Sequence, residues 1–557
     1  MSADATLPDW MEPDQTTPDT DPFPKHEAPR GRRARRSLRS KARHADFTAI
    51  SLLGVPAGDA AAPHDPVDPM DQAPEAVIEP IDLMPPSEAP SVLSLNQKFF
   101  VGLCVVALGG GLALAPLVTV VALNAALVVF FMASNSMKLF LISRALNNPC
   151  ELKVDVEANR TPGDELPIYT ILLPVYREAA LLDQLVAGIQ ALDYPEDRLD
   201  VKLLLEEEDT ETRDAAAELD LPDCFDVLVV PDEGPTGKPR ACNHGLANAR
   251  GDYLVIFDAE DRPEADQLRK SVLAFADAAP EVVCLQAQLN YFNRTHNILT
   301  RWFSAEYSVW FDQLLPGLQA MDVVIPLGGT SNHFVTGRLR EIGGWNSFNV
   351  TEDADLGLRI YLKGWKTAVL DTTTYEEATS RCHNWIRQRS RWVKGYMQTY
   401  LFHMRHPILL SKQMGPKAFA AFQLFFGAGT LCLLINPVFW LLAVLWFATR
   451  LHIIQTSFPG PVLYLATLGL IVGNAACVLS AVSGCYGRRN YEDVKYAFLI
   501  PVYWVLMSVG AWKALIQLCY KPSYWEKTEH GFCRYEADDD LEATAGELAT
   551  AGARTAS

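Results

Sequence analysis

The chain reads as an α/β domain with a mostly parallel, Rossmann-like sheet, flanked on both sides by transmembrane α-helices. Three observations lead there. Short apolar, β-branched runs alternate with helix-patterned stretches from about residue 165 to 381, as expected of strands covered on both faces. Apolar stretches long enough to cross a bilayer, about 20 residues each, stand before and after that region. Acidic clusters and a Gly-Lys-Pro turn follow several strand runs closely, where open sheets of this kind place their ligands.

Residues 1–97 are rich in Pro, Asp, Ala and Ser and are expected to be a disordered cytoplasmic tail. A basic block from Arg30 to Arg43 lies within it. Two readings stay open for this block, an anchor on anionic lipid head groups or a solvated tail that helps fix topology. Either places the N-terminus in the cytoplasm. The first apolar run begins only near Phe99, so no N-terminal signal peptide is expected. Residues 98–145 form a transmembrane hairpin turning near Pro116, almost free of charge until Lys138.

The α/β domain is placed at 160–381. Its strand candidates are Ile168–Pro174, Val201–Glu206, Asp226–Val230, Tyr253–Phe257 and Val282–Gln286, with helices between them such as Glu178–Ala191 and Pro239–Ala249. Residues 382–412 mix Arg, Lys, Trp, Tyr and Phe and read as one or two interfacial amphipathic helices. Four further spans are expected within 416–518, at Ala418–Ile435, Val438–Leu451, Val462–Val482 and Tyr496–Leu518. The second is short enough to be joined to the first. With four crossings Arg488 and Arg489 face outward, against the positive-inside tendency. Residues 519–557 are a cytoplasmic tail, disordered at its end, in which Trp525 to Gly531 reads as a gate or as an ordinary interfacial anchor.

Composition narrows the function classes. The formal net charge of −19 argues against nucleic-acid binding. The 11 cysteines are scattered without a C-x-x-C pair, so they read as small buried hydrophobes in a reducing compartment.

Candidate site residues follow in chain order. Pro174 and Tyr176 end a strand where a nucleotide can sit, with Glu178 reaching a polar edge. Glu206-Glu207-Glu208-Asp209 ends the next strand; it is either an acceptor set for a base or ribose, or a solvated turn. Lys238, near a helix start, is placed to meet phosphate. Asp258-Ala259-Glu260-Asp261 follows an apolar strand, and carboxylates spaced i, i+2 there can hold one divalent cation through hard oxygen ligands. Mg²⁺ or Mn²⁺ suits that donor set better than Zn²⁺. The alternative is an Asx-type turn. Gly328 to Phe334 is an irregular polar stretch, in which His333 is either an acceptor-groove residue or a structural partner. Thr351-Glu352-Asp353 opens a helix; its acidic residues are ordinary capping chemistry in isolation, and a catalytic reading rests on the set of motifs around them. Gln388, Arg391 and Trp392 stand at i, i+3 and i+4, hence on one helix face. A forked cation there suits a diphosphate, and a flat ring suits a sugar.

Taken together, Pro174-Val175-Tyr176-Arg177-Glu178, the acidic strand end, Gly237-Lys238-Pro239, Asp258-Ala259-Glu260-Asp261, Thr351-Glu352-Asp353 and Gln388-x-x-Arg391-Trp392 resemble the membrane-embedded family 2 glycosyltransferases. That group includes bacterial cellulose, chitin, hyaluronan and curdlan synthases. The resemblance covers about Pro167 to Gln398, and the flanking spans only in architecture. It implies a GT-A domain with inverting chemistry, at the plasma (inner) membrane with its catalytic domain in the cytoplasm. Asp258 and Glu260 would hold Mg²⁺ or Mn²⁺, and Asp258 would also meet the donor. Asp353 would be the general base. Gln388 and Arg391 would contact the diphosphate. Trp392, with Glu352 and His333, would face the acceptor. Glu207 would replace the nucleotide-binding aspartate usual in this family.

The expected reaction moves a sugar from a nucleotide sugar, UDP-glucose or similar, to a growing β-glycan, with translocation and export partner subunits as open elements. A second reading adds one or a few sugars to a lipid acceptor. A third, of another class, is a non-catalytic membrane receptor or secretion component; the nearly complete set of acidic and basic residues speaks against it.

Overall fold

The computed structural model describes residues 83–156, 158, 166–522, 524 and 526. The arginine block and nearly all of the Trp525–Gly531 stretch lie outside the described residues.

All five expected strands are present, as β1 (Tyr169–Val175), β2 (Leu199–Glu206), β3 (Phe225–Val230), β4 (Tyr253–Ile256) and β6 (Val282–Tyr291). Three more join them: β5 (Arg262–Pro263), β7 (Asn332–Val335) and β8 (Lys366–Glu376). The sheet order is β3-β2-β1-β4-β7-β6-β8-β5. β1 pairs in parallel with β2 and β4, β2 with β3, and β6 with β8, whereas β7 runs antiparallel to both β4 and β6. The sheet is thus mixed and mostly parallel. Ile171, Leu173, Val201 and Leu203 fill one side of it; Leu172, Leu204, Leu254 and Ile256 fill the other. Alternating residues of one strand enter opposite clusters, because successive side chains of a strand point to opposite faces.

The Gly328–Phe334 stretch, read as irregular, contains β7. Only its first residues, Gly328 to Ser331, form a loop.

Among the described residues five helices are long and apolar enough to cross a membrane: Leu95–Leu114, Pro116–Asn147, Pro407–Thr449, Gly460–Gly487 and Ile500–Tyr520. The expected hairpin turns at Ala115–Pro116, with Ser94 capping its first helix in a capping box. Downstream there are three such helices instead of four. The first two expected spans are one continuous helix that passes through Pro437, since neighbouring helices in an apolar bundle can compensate for the lost backbone bond. Its only break in φ/ψ is a kink at Gly415, at φ 73°.

Arg488, at the end of the Gly460–Gly487 helix, is held by the α/β unit. Its guanidinium pairs with both carboxylate oxygens of Asp312 at 2.7 Å and reaches Thr373 Oγ1 at 3.3 Å, so the end of the Gly460–Gly487 helix is fixed to the α/β unit.

Residues 83–97, expected to belong to a disordered tail, are ordered. Leu83 O accepts from Arg359, Ser91 O from Arg405, and Gln97 donates to Leu401 O at 2.7 Å. The Cys382–His403 helix is one amphipathic helix, and the Ile500–Tyr520 helix lies along it, Trp385 meeting Tyr503 at one end and Met397 joining Leu518 at the other. Cys242, Cys284 and Cys485 are buried as small hydrophobes, but Cys104, Cys382 and Cys519 are exposed.

Candidate active site

A cavity of about 440 Å³ opens at the carboxyl ends of β1, β2 and β4 and continues between the apolar helices. Its wall carries Pro174, Tyr176, Glu178, Lys238, Asp258, Glu260, Glu352, Asp353, Gln388, Arg391 and Trp392. Residues more than 200 positions apart in the chain therefore face one space.

The floor is set by strand ends. After β1 the chain turns at Arg177, at φ 54°, with its N–H bonded to Asp209 Oδ2 at 2.5 Å. The turn leaves Tyr176 on the cavity wall, its hydroxyl donating to Glu208 at 2.7 Å. At the end of β2, Glu206 lines the cavity and is paired with Arg240. Burial raises the Glu206 carboxyl despite that cation. Glu207 is the residue expected there, yet it is exposed and accepts the Asp232 N–H at 3.1 Å. Glu206 is the last residue of the strand and keeps its inward alternation; Glu207 begins the turn and is directed outward.

Lys238 is the first residue of the Lys238–Asn248 helix, after Gly237 at φ 150°. Its ammonium binds Asp258 and donates to Gly329 O at 2.7 Å. Burial disfavours the charge, but the Asp258 carboxylate outweighs it and holds the amine above its ordinary pKa. Asp261 braces the same turn. Its Oδ2 accepts the Asp258 N–H at 2.7 Å and the Thr330 hydroxyl, while its Oδ1 has no partner. Burial, then the charges of Asp258 and Glu260, raise the Asp261 carboxyl well above its usual range. The Asx-turn reading thus holds for Asp261, while Asp258 and Glu260 remain on the cavity wall.

Two hard-oxygen carboxylates beside an ammonium fit a divalent cation shared with a phosphate-bearing ligand. Among the described residues no group of three His, Cys, Asp or Glu side chains is placed to hold a metal by itself. The remaining ligands would have to come from phosphate oxygens and water, as is usual for Mg²⁺.

Asp353 stands in the first turn of the Glu352–Leu362 helix, its Oδ1 accepting the Ala354 N–H at 2.7 Å. Gly329 lies against its other oxygen; a Cβ there would come within 3.6 Å. Burial raises both Asp353, to about 6, and Glu352, to about 7, and the Asp353 charge adds to the rise at Glu352. Capping alone would leave Asp353 solvated at low pKa; here the side chain is half-buried in the cavity wall.

Gln388, Arg391 and Trp392 all reach the cavity from one face of their helix. Arg391 also donates to Glu526 O at 3.1 Å. The Trp392 ring is held by the Arg389 guanidinium, 4.6 Å from its centroid, and by Tyr307 at 6.2 Å. Arg389 in turn is paired with Glu306 and the Tyr503 hydroxyl.

His333 is elsewhere. It is fully buried in β7, Nδ1 bonded to Tyr169 Oη at 2.7 Å and Nε2 to Gln267 at 3.3 Å. Burial pushes its pKa down to about 3. The expectation of an acceptor-facing histidine is therefore corrected: pairing of β7 between β4 and β6 turns this side chain into the core.

Other wall residues escaped the sequence reading. Glu376 ends β8 and lines the cavity, its carboxyl raised by burial and by the charges of Asp261, Glu260 and Asp258. A β-branched run ending in an acid was its signal, in T-A-V-L-D-T-T-T-Y-E from Thr367 to Glu376. Tyr307, Trp310 and Arg389 also line the cavity, Arg389 from the helix read as interfacial and amphipathic.

Comparison with known proteins gives the same picture. The Glycosyl transferase family 2 profile matches residues 170–329, and that of Glycosyl transferase family group 2 matches residues 253–480. A probable glycosyltransferase, YdaM, of Bacillus subtilis is 25% identical over 46% of this chain and 62% of its own length. A beta-monoglucosyldiacylglycerol synthase of Synechocystis is 31% identical over 43% of this chain and 50% of its own. A probable glucomannan 4-beta-mannosyltransferase of Arabidopsis thaliana is 27% identical over 41% of this chain and 44% of its own. The chain thus spans about half the length of the curated relatives it matches. A mannosyltransferase of Pyrobaculum calidifontis, solved with GDP-Man and Mn²⁺, is 20% identical with a TM-score of 0.45, covering 72% of this chain and 99% of that one.

Proposed function

We propose that this chain, which carries a glycosyl transferase family 2 domain, is a membrane glycosyltransferase that moves a sugar from a nucleotide diphosphate sugar to an acceptor hydroxyl. One observation carries the reading. The strand-end carboxylates, Asp353 and the Gln388-Arg391-Trp392 face border one cavity that runs on into the apolar helices. A soluble donor and a membrane-bound acceptor can meet there.

In this reading the nucleotide lies over Pro174 and Tyr176, with Glu178 and Glu206 at its polar edge. Lys238, Arg391 and Gln388 face the diphosphate. A divalent cation, Mg²⁺ or Mn²⁺, held by Asp258 and Glu260, supplies charge neutralisation for the leaving group. Asp353 accepts the proton of the attacking hydroxyl. Its raised pKa moves it toward the pH at which it works, where a base is most effective. Attack from the side opposite the diphosphate inverts the anomeric carbon. Trp392, fixed by Arg389 and Tyr307, stacks on the acceptor, with Glu352 beside it.

The donor is read as UDP-linked, glucose or similar. A growing β-glycan is the acceptor that the Gln-x-x-Arg-Trp motif suggests. The far end of the cavity, however, is walled by Leu139, Leu433, Ala476 and Met507, and this apolar lining favours an acceptor with a hydrocarbon chain. The bond between Arg488 and Asp312 places a positive loop on the side of the α/β unit, in keeping with a cytoplasmic catalytic domain at the inner membrane.

The test is a screen of the purified full chain against nucleotide sugars with Mg²⁺ or Mn²⁺. Nucleotide release and product mass are read together. A donor that releases nucleotide and adds whole sugar masses to an acceptor is expected. Neither release nor transfer from any donor would overturn the reading.

A further inference from the structure

Lys138 stands inside a helix otherwise built for a bilayer, and the cavity reaches it. Asn135, Lys138, Leu139 and Ile142 occupy one face of the Pro116–Asn147 helix and line the same space. Among the described residues no hydrogen bond or ion pair holds the Lys138 ammonium. Its recorded partner is the Trp504 ring, 5.5 Å from the nitrogen. Asn135 donates to Phe131 O at 2.9 Å and Ser480 to Ala476 O at 2.7 Å within their own helices, and the neutral thiols of Cys432 and Cys477 lie near the ammonium. A charged lysine in a membrane segment is costly and marks a substrate or ion path unless it is paired.

Leu141, one turn further along, packs directly on Gly317, where an added Cβ would meet the Leu141 backbone. Lys138 is about 4.5 Å along the helix from that contact and shares the cavity with Leu139, Leu433 and Met507. An ammonium beside hydrocarbon walls complements a phosphate attached to an apolar chain.

We propose that Lys138 is a phosphate-binding residue for a lipid acceptor, a phosphodiester lipid whose head group carries a free hydroxyl. The phosphate rests on Lys138 under the Trp504 ring. The hydrocarbon chain leaves past Leu433 and Met507. The head group points up the cavity to Trp392 and Asp353, where its hydroxyl is glycosylated. This rests on the acceptor side of the proposed function and adds to it the class of acceptor. A neutral glycan alone supplies no anion to Lys138.

The test uses the full chain purified in detergent, without donor, and native mass spectrometry. The probes are dioleoyl phosphatidylglycerol, dioleoylglycerol without a phosphate, and glycerol 3-phosphate without a chain. The wild type should retain the phosphatidylglycerol at least tenfold more than either other probe. Lys138→Gln should lose that preference and Lys138→Arg should keep it. Ser480→Trp, which fills the cavity from another helix and leaves Lys138 intact, should lose retention as well, so a misfolded Lys138→Gln does not end the test. Equal retention of dioleoylglycerol, or undiminished retention in folded Lys138→Gln, overturns the inference. Lipid retained through Lys138 by a protein that transfers no sugar from any donor supports this site and strikes the functional reading alone.

Discussion

His403 Nε2 lies 2.9 Å from Asp355 Oδ1, both side chains fully buried. That contact joins the helix carrying Asp353 to the helix carrying Gln388, Arg391 and Trp392. Asp355 Oδ2 also accepts from Arg359 Nε at 2.9 Å, and Arg359 reaches Ile342 O and Gly344 O. Burial alone would raise the Asp355 carboxyl, but the Arg359 and His403 contacts hold it below its ordinary range.

Asp355→Asn should therefore destabilise the protein by about 3–5 kcal/mol, the usual result of leaving a buried cation unpaired. Thermal unfolding in detergent measures it. The sign with pH follows from a depressed folded-state pKa. This stabilisation is present above the unfolded pKa of about 3.9 and is lost as pH falls through the lower folded value. An Asn variant as stable as wild type at neutral pH would remove the tie.

Asp353→Asn should keep the fold and donor binding but lower transfer by about 10²–10⁴-fold, the usual contribution of a general base. Donor affinity by calorimetry and turnover by nucleotide release separate the two. Turnover close to wild type would exclude Asp353 as the base.

The acid limb of the transfer rate should reflect the same carboxyl. Burial raises Asp353, and its neutral form accepts no proton, so the rate should climb with pH through a midpoint well above the ordinary aspartate value of about 3.9. Lys238 lowers this pKa, so Lys238→Gln should move the limb to higher pH as well as weaken donor binding. A midpoint that Lys238→Gln leaves in place would argue against Asp353 as the titrating group.

Gly395 faces Thr351 so closely that a Cβ would come within 2.2 Å of its Oγ1. Gly395→Ala forces the Thr351-Glu352-Asp353 segment outward and should cost about 1–3 kcal/mol by overpacking, with a larger fall in kcat than in donor affinity. Unchanged kcat in the folded variant would mean that the contact does not position the base.

His333→Ala should cost about 1–3 kcal/mol, because the Tyr169 hydroxyl loses a buried partner, while the acceptor KM stays unchanged. A raised acceptor KM at unaltered stability would restore the groove assignment.

Much was legible in the residue order. Strand β4 and the carboxylates after it could be placed because an apolar run that stops at Asp258 has few other readings. The face shared by Gln388, Arg391 and Trp392 follows from helical spacing alone, and the presence of membrane-length apolar stretches on both sides of the α/β domain follows from length and hydropathy. Register and long-range pairing could not be read in this way. Whether Glu206 or Glu207 faces the cavity depends on where β2 ends. Whether His333 is core or groove depends on β7 inserting between two strands far apart in sequence. Pro437 breaks a helix in water but is accommodated in an apolar bundle, so the span count waited for the helices to pack. Lys138 shows the division most clearly: its charge was plain in the chain, but only packing of four helices around it opened a path from that ammonium to Asp353. Local patterns depend on neighbours a few residues away. The site depends on contacts across hundreds of residues, which only the folded chain brings together.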